Sequence, residues 1–327
     1  MRHGSLIVLA AAVVAAAAAA AAITPRNLLP RPTRPFEGFG RTDPVTGGDL
    51  FPRWASGADE VPARVAAPPV RLVSQSMSTD EFLYAIVPPE RVVGVSQSAY
   101  QQPISNVVDL ARRYRPLPAT DVETVLSLQP DLVFVPAEAR ADVPGVLRAA
   151  GLAVYRIPTM FPTLTSIEEH IRLVGYLSGE DARAEEEVRR FRAAVARAAA
   201  KKPAGARPPR VAGFGGTYSY GSETLFSDIL RVLGAENVAA ADGFVGYDRV
   251  SDEHIVRWNP EWIVAGADRG LADQVRRRLL ESPAIAGTIA ARRGQLIVLE
   301  HQLFLPLSPY TARLVEALAN AFYGEVS

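Results

Sequence analysis

The sequence predicts an α/β protein, and three features of the chain support that fold class. From residue 70 onward, short apolar strands alternate with helices, as in domains built on parallel sheets. Residues 123–134 and 253–264 match without a gap at an offset of 130 positions, each reading as a short helix, a Pro and a buried strand. Residues 179–202 contain no Pro and are rich in Ala, Glu and Arg, which favour helix. We therefore predict two Rossmann-like lobes with mainly parallel sheets, joined by a single long spine helix.

Residues 1–23 have the features of an export segment. A basic start, Arg2 and His3, precedes an uninterrupted apolar run over residues 6–23, as in a secretory signal peptide. The run also just reaches the length of a membrane span, so an uncleaved N-terminal anchor is the alternative. The absence of Cys excludes a lipoprotein signal, disulfides, a thiol nucleophile and a Cys zinc site. We therefore expect an exported, periplasmic protein that is not a lipoprotein.

Residues 24–69 are rich in Pro, Gly and Arg and show almost no apolar periodicity. This composition is typical of a linker. Four aromatic residues, Phe36, Phe39, Phe51 and Trp54, are unusual in a spacer, so we expect part of the segment to pack on the body of the protein.

Two lobes follow the linker. The first, residues 70–178, has predicted strands near 71–74, 91–96, 131–135 and 152–157, and helices that include 143–150 and one opened by the capping-box spacing of Thr165 and Glu168. The spine helix takes residues 179–202. The second lobe, residues 203–327, has predicted strands at 210–214, 262–265 and 295–299 and helices at 223–233, 271–280 and 309–323.

Five short runs, in this order, resemble the periplasmic binding proteins of ABC importers that take up cobalamin and ferric siderophores. The runs begin at Arg71, Arg91, Glu123, Leu233 and Glu253. In that family two α/β lobes, joined by one long and rather rigid helix, hold a ligand in the cleft between them. The resemblance implies a monomeric binding protein without catalysis. It would deliver a ferric siderophore or cobalamin to a permease dimer in the inner membrane.

The resemblance also gives a role to the repeated acids Glu123 and Glu253. In such proteins one surface acid on each lobe pairs with arginines of the two permease subunits. A charge at equivalent sites of two similar lobes suits a two-fold partner. The alternative is that each Glu only complements the dipole of the helix it opens.

Ligands of open α/β sheets bind beyond the carboxyl ends of the strands. Residues predicted at those ends are rich in aromatic and hydroxyl groups, which suit a bulky, partly apolar chelate. Arg269 is expected to meet an anionic group of the ligand. The predicted ligand-binding residues are Ser76, Thr79, Tyr100, Glu138, Phe161, Tyr218, Tyr220, Tyr247, Arg269, His301 and Phe304.

A bare transition-metal ion is the alternative ligand. Its binding proteins bring several His and carboxylate groups together. Here His3 lies in the export segment, His170 is predicted on a helix surface, and His254 belongs to the proposed docking helix, which leaves His301. We therefore expect no metal site or cofactor of the protein's own. Haem stays open as a ligand, with Tyr100 or His301 as the first candidates to bind its iron.

Other function classes fit the sequence poorly. The run 216–221 has one residue too many for a G-x-S-x-G nucleophile elbow, and Tyr218 stands where a dinucleotide fingerprint needs its third Gly. The 35 basic residues balance the 35 acidic ones, so no net positive field attracts nucleic acid. A tethered binding module without a transport role also remains open.

Overall fold

The computed structural model describes residues 51–118, 121–158, 160–304 and 306–324, so the predicted export segment and residues 24–50 of the predicted linker lie outside the described residues. The chain divides into two compact bodies. The N-terminal body comprises the described residues of 51–206 and 301–324, and the C-terminal body comprises 207–300. In the described part of the chain, no helix is long and apolar enough to cross a membrane.

The N-terminal body contains a five-stranded sheet in the order β5-β4-β3-β6-β7, in which every neighbouring pair is parallel. A separate antiparallel hairpin is formed by β1 and β2. The strands are β1 (Arg53–Ser56), β2 (Pro62–Val65), β3 (Leu72–Ser74), β4 (Val92–Ser96), β5 (Arg115–Leu117), β6 (Leu132–Pro136) and β7 (Ala153–Ile157). The helices are α1 (Met77–Ile86), α2 (Val108–Ala111), α3 (Val122–Ser127), α4 (Asp142–Ala149), α5 (Leu164–Ser178) and α6 (Asp181–Ala199), with 3-10 turns at Pro89–Arg91 and Gln97–Tyr100.

The C-terminal body contains a second sheet, in the order β11-β9-β8-β12-β13, with β10 paired to β8. Strands β8, β10, β12 and β13 are parallel, whereas β9 and β11 are antiparallel to their neighbours. The strands are β8 (Arg210–Gly215), β9 (Tyr218–Tyr220), β10 (Glu236–Asn237), β11 (Tyr247–Arg249), β12 (Trp262–Ala267) and β13 (Leu296–Glu300). The helices are α7 (Leu225–Val232), α8 (Val238–Ala241), α9 (Asp252–Trp258), α10 (Ala272–Glu281), α11 (Pro283–Ala286) and α12 (Ile289–Arg292).

The central strands are apolar along their whole length. All five residues of β6 are buried, as are Ile263, Val264 and Ala265 in β12. Continuous burial is expected of parallel strands, because helices cover both faces of the sheet. The prediction of an α/β fold with mainly parallel sheets is therefore confirmed.

The internal repeat has the same local geometry in both copies. Asp121 caps α3 and Ser251 caps α9, each by accepting a hydrogen bond from the backbone N–H three residues later. After each helix, a residue in the left-handed region turns the chain toward the Pro: Gln129 at φ 47° and Asn259 at φ 38°. The caps and the turns are offset by the same 130 positions as the matching sequence.

The acid after each repeated Pro fixes the start of a neighbouring strand. Oδ2 of Asp131 accepts hydrogen bonds from the backbone N–H groups of Val70 and Arg71, at 2.7 and 2.8 Å. In the second copy, Oε2 of Glu261 accepts from the backbone N–H of Arg210, at 3.0 Å. Each acid thus supplies a partner for an N–H group at the beginning of a parallel strand, where the ladder provides none.

The last part of the predicted linker belongs to the N-terminal body. Hairpin β1–β2 packs against β7, and the backbone N–H of Ala58 donates to the carbonyl of Arg156 at 2.8 Å. The guanidinium of Arg53 lies over the ring of Tyr176, 4.9 Å from its centre, and pairs with Asp181 at 2.6 Å. The body therefore begins before Val70, which differs from the predicted boundary at residue 69.

Residues 301–324 belong to the N-terminal body, which differs from their predicted place in the second lobe. Helix α13 (Thr311–Tyr323) buries Leu314, Val315 and Leu318 and packs against α6. The burial of this apolar face, rather than position in the chain, decides which body the helix joins.

The predicted long helix is present as α6, which begins after Gly179. This glycine, at φ 76°, ends α5 in the left-handed conformation that glycine adopts without strain. Within the helix, Glu186 binds Arg190 at 3.1 Å, whereas Glu185 binds Arg172 of α5 at 2.7 Å. An ion pair between Glu185 and Arg172 therefore links α6 to α5 within the N-terminal body.

Candidate ligand-binding site

Three predicted residues lie where the parallel strands of the N-terminal body end. Ser76 follows β3, Tyr100 closes the turn after β4, and Glu138 follows β6. Ser76 and Tyr100 are half-buried and Glu138 is exposed. Their placement is at the carboxyl edge of the sheet, where open α/β sheets bind ligands.

The hydroxyl of Tyr100 is engaged within the body, because it donates to the backbone carbonyl of Tyr114. Partial burial raises the pKa of Tyr100, so the phenol stays protonated at neutral pH. In this arrangement the ring, rather than the oxygen, is the part of Tyr100 that is available for ligand contact.

Two predicted residues of this body lie inside its core. Thr79 is fully buried within α1, and Phe161 is 1% exposed. Phe161 packs edge-on against His170, with ring centres 4.3 Å apart, and against Phe82. Neither side chain reaches the surface of the body, so burial removes both from the accessible candidates.

The predicted surface position of His170 is wrong. The side chain is 7% exposed and packs against Phe82 and Phe161. Burial lowers the pKa of His170 to about 4, which keeps the imidazole neutral at physiological pH.

Two adjacent buried carboxyl groups lie beneath the carboxyl edge of this sheet, in the first turn and a half of α1. Asp80 accepts hydrogen bonds from the backbone N–H of Ser96, at 3.2 Å, and from its hydroxyl. Glu81 accepts from the backbone and side-chain N–H groups of Asn106, both at 3.0 Å, and from the hydroxyl of Ser308. The sequence gives no sign of this arrangement, since no local pattern shows which groups the two carboxylates bind.

The electrostatics of the two carboxyl groups follow from their burial. Burial raises the pKa of Asp80 to about 8, although its hydrogen bonds from Ser96 and Ser74 act in the opposite direction. Burial also raises the pKa of Glu81, opposed by the hydrogen bonds from Ser308 and Asn106 and by the charge of Arg313.

In the C-terminal body, an antiparallel pair of strands brings aromatic and cationic groups together. Tyr218 lies directly opposite Arg249 in the pairing of β9 with β11, and Tyr220 lies opposite Tyr247. The guanidinium of Arg249 is 5.8 Å from the centre of the Tyr218 ring, within the range of a cation–π contact. Arg249 is exposed and was not among the predicted site residues.

The three tyrosines of this group differ in accessibility. Tyr218 and Tyr247 are half-buried, whereas Tyr220 is 5% exposed and packs on Phe226. Burial raises the pKa of Tyr247 to about 12 and that of Tyr220 as well. Tyr220 is therefore a core residue in this structure, which corrects its place among the accessible candidates.

The remaining predicted residues follow β12 and β13. Arg269 is exposed in the loop after β12, and the next residue, Gly270, donates its N–H to Glu300 at 3.1 Å. His301 follows β13 directly and is half-buried, whereas Phe304 is 7% exposed. Arg269 and His301 are accessible, and Phe304 contributes mainly to packing.

The two acids predicted to dock the permease are exposed on helices of the repeated unit. Glu123 is the second residue of α3, and Glu253 is the second residue of α9. Hydrogen bonding, first from the side chain of Ser251 and then from the backbone, lowers the pKa of Glu253. Glu253 is therefore fully charged at neutral pH.

Among the described residues, no group of three or more His, Cys, Asp and Glu side chains could hold a metal ion. Within the same part of the chain, the accessible candidates are aromatic, hydroxyl and single charged groups. Such a set suits recognition of an organic molecule better than direct coordination of a bare ion.

Comparison with known proteins places these features in a family. A family model described as periplasmic binding protein matches residues 28–303. A cobalamin-binding protein of Halobacterium salinarum is 27% identical over 280 residues, covering 84% of this chain and 74% of that protein. An uncharacterized ABC transporter substrate-binding lipoprotein of Bacillus subtilis is 24% identical over 286 residues, covering 84% of this chain and 87% of that protein.

A solved structure resembles the chain over most of its length. The apo form of the periplasmic heme-binding protein RhuT from Roseiflexus sp. RS-1 is 26% identical, with a TM-score of 0.66, and the match covers 77% of this chain and 97% of that one. The predicted resemblance is therefore confirmed. The chain belongs to the periplasmic binding protein family and is a substrate-binding protein of the ABC-importer type.

Proposed function

We propose that this protein captures an organic metal chelate, namely a corrinoid, haem or ferric siderophore, and delivers it to an ABC permease. The observation that carries the proposal is the grouping of Tyr218, Tyr247 and Arg249 on β9 and β11. Aromatic faces suit the ring system of a chelate, and a guanidinium suits the carboxylate or phosphate groups that such ligands carry.

The named relatives support the same ligand class. One is a cobalamin-binding protein and another a heme-binding protein, and both of those ligands hold a metal within a large organic ring. Iron or cobalt would then enter as part of the cargo, without a metal site of the protein's own. The accessible residues Ser76, Tyr100, Glu138, Arg269 and His301 are proposed as further ligand contacts.

Delivery requires a surface that the permease recognises. We propose that Glu123 and Glu253 form the two docking points, because each is an exposed acid at the same position of the repeated unit. Equivalent charges suit a partner made of two similar subunits.

The proposed ligand site is tested by removing its cation. Arg249→Gln should weaken binding of an anionic chelate such as haemin by about 10-fold or more, because an unpaired ligand carboxylate must then lose water without compensation. The matched control is Arg231→Gln, an exposed arginine of the same body that pairs with Asp228 on α7. An equal Kd for wild type and Arg249→Gln would reject the placement of the ligand against β9 and β11.

A further inference from the structure

We infer that Glu81 is a positioning residue for ligand binding, which holds the segment 301–308 in the shape that the bound state needs. The inference rests on the proposed function, because a residue can position ligand contacts only if the protein binds a ligand. Glu81 itself is buried and is not proposed as a ligand contact. Glu81 is 1% exposed and lies in α1, whereas the segment follows β13 and carries His301.

One carboxylate holds this segment at both of its ends. The hydroxyl of Ser308 donates directly to Oε2 of Glu81. At the other end, Nδ2 of Asn106 donates both to Oε1 of Glu81, at 3.0 Å, and to the backbone carbonyl of Gln302, at 2.8 Å. Both side-chain protons of Asn106 are thereby used, so Glu81 fixes the orientation of the amide that reaches Gln302.

Regular structure does not fix the segment. Apart from residue 305, which lies outside the described residues, positions 301–310 contain neither helix nor strand. Side-chain hydrogen bonds contribute to its shape, and they include those from Thr311 Oγ1 to the carbonyls of Pro306 and Ser308. Among these bonds, the one from Ser308 to Glu81 joins the residues that are farthest apart in sequence.

The same carboxylate also reaches the loop that follows Tyr100. Asn106, whose backbone N–H donates to Glu81 at 3.0 Å, lies six residues after Tyr100 in the connection between β4 and α2. One buried group is thus bonded both to the loop that follows Tyr100 and to the segment that carries His301.

Burial of a carboxylate costs stability, and an apolar residue of similar volume would fill the same space at lower cost. The fold keeps Glu81 where three donors converge on it from two loops. A role in fixing one loop arrangement accounts for this cost, as buried polar networks do when they specify a unique structure.

The test measures ligand affinity and stability separately in the full chain. The variants are Glu81→Leu, Ser308→Ala and the double variant, and the probes are cyanocobalamin, haemin and ferrichrome, each titrated alone. For the chelate that the wild type binds, each single variant should raise the Kd by about 10-fold, in the range of substitutions that act without touching ligand. The double variant should be no weaker than Glu81→Leu alone, because both changes break the same connection.

The matched control is Ser178→Ala, another fully buried serine of the N-terminal body, whose hydroxyl bonds only within α5, to the carbonyls of Val174 and Gly175. Loss of this hydroxyl should lower the urea midpoint and leave the Kd within about twofold of wild type. A purely structural Glu81 would behave in the same way, so the Kd, and not the midpoint, decides.

An unchanged Kd in folded Glu81→Leu would overturn the inference while leaving the proposed function intact. If that variant does not fold, Ser308→Ala decides alone, and a Kd within twofold of wild type overturns the inference. If the wild type binds none of the three chelates, the proposed function fails, and the inference fails with it.

Discussion

The buried carboxyl group of Asp80 makes the stability of the fold depend on pH. Burial raises the pKa of its carboxyl group from 3.8 to about 8, so the folded state keeps a proton that the unfolded state has already released. The unfolded state therefore binds fewer protons over this range, and the free energy of unfolding falls as the pH rises from about 4 to about 8. Burial also raises the pKa of Glu81, so Glu81 likewise lowers the free energy of unfolding as the pH rises.

Asp80→Asn should flatten this decline. The amide stays neutral at every pH and keeps an oxygen to accept from Ser96 N and an N–H group to donate to its hydroxyl. The measurement is urea unfolding between pH 6.5 and 8, above the range where neutralising His170 raises stability with pH. Asp109→Asn, a substitution at an exposed carboxyl group on α2, is the control. Parallel curves for Asp80→Asn and wild type would contradict the assignment.

The sequence identifies which residue types lie near the strand ends, but not the direction in which their side chains point. Thr79, Phe161 and Tyr220 occur close to the predicted strand ends, yet all three point into cores. The periodicity of a segment does not say which of its faces a distant helix will cover. His170 became buried for the same reason, because its neighbours Phe82 and Phe161 come from other parts of the chain.

Among the elements, the repeated helix–turn–strand unit is the part most completely predicted from sequence. Its helix, its Pro and its apolar strand are local signals, and the structure adds only the caps and the left-handed turn. The strand pair β9–β11 was missed because β11 is three residues long and pairs with a strand 27 residues earlier. Arg249 was missed with it.

Gln129→Gly should stabilise the repeated unit. A residue with a Cβ is strained at φ 47°, and glycine is not, so we expect a gain of about 0.5–1 kcal/mol in the free energy of unfolding. Gln129→Asn should give a smaller gain, because asparagine tolerates this conformation, as Asn259 does in the second copy. Urea denaturation measures both, with Gln101→Gly, at φ −82°, as a control expected to lose stability. If Gln129→Gly lowered the free energy of unfolding as much as Gln101→Gly does, backbone strain at Gln129 would be ruled out.

For the whole molecule, the domain boundaries depended on contacts between residues far apart in sequence. Arg53 binds Asp181 across 128 residues, and Ser308 binds Glu81 across 227. No local pattern predicts such pairs, so the bodies defined by contacts include residues 51–69 and 301–324, which the sequence placed in the linker and in the second lobe. The presence of two α/β units was predictable because each carries one copy of the repeat.

If Glu123 and Glu253 dock the permease, reversing their charges should stop transport. Cells that lack the protein and are complemented with Glu123→Arg/Glu253→Arg should lose uptake of the chelate, because each reversed charge would meet a permease arginine. The purified variant should bind that chelate with the Kd of wild type. Reversing one exposed acid of each body outside the repeat, Glu90→Arg/Glu281→Arg, should leave uptake unchanged. Normal uptake by the first variant would reject these docking points.

The most direct test of chelate binding is isothermal titration calorimetry of the full chain with cyanocobalamin, haemin, ferrichrome and zinc chloride. Calorimetry is preferred to tryptophan fluorescence because Trp54 lies on hairpin β1–β2, Trp258 lies in α9, and Trp262 begins β12. None of them lies at the carboxyl end of a parallel strand. We predict saturable binding of one chelate with a Kd below about 1 µM and no tight binding of zinc. Tight zinc binding without binding of any chelate would contradict it.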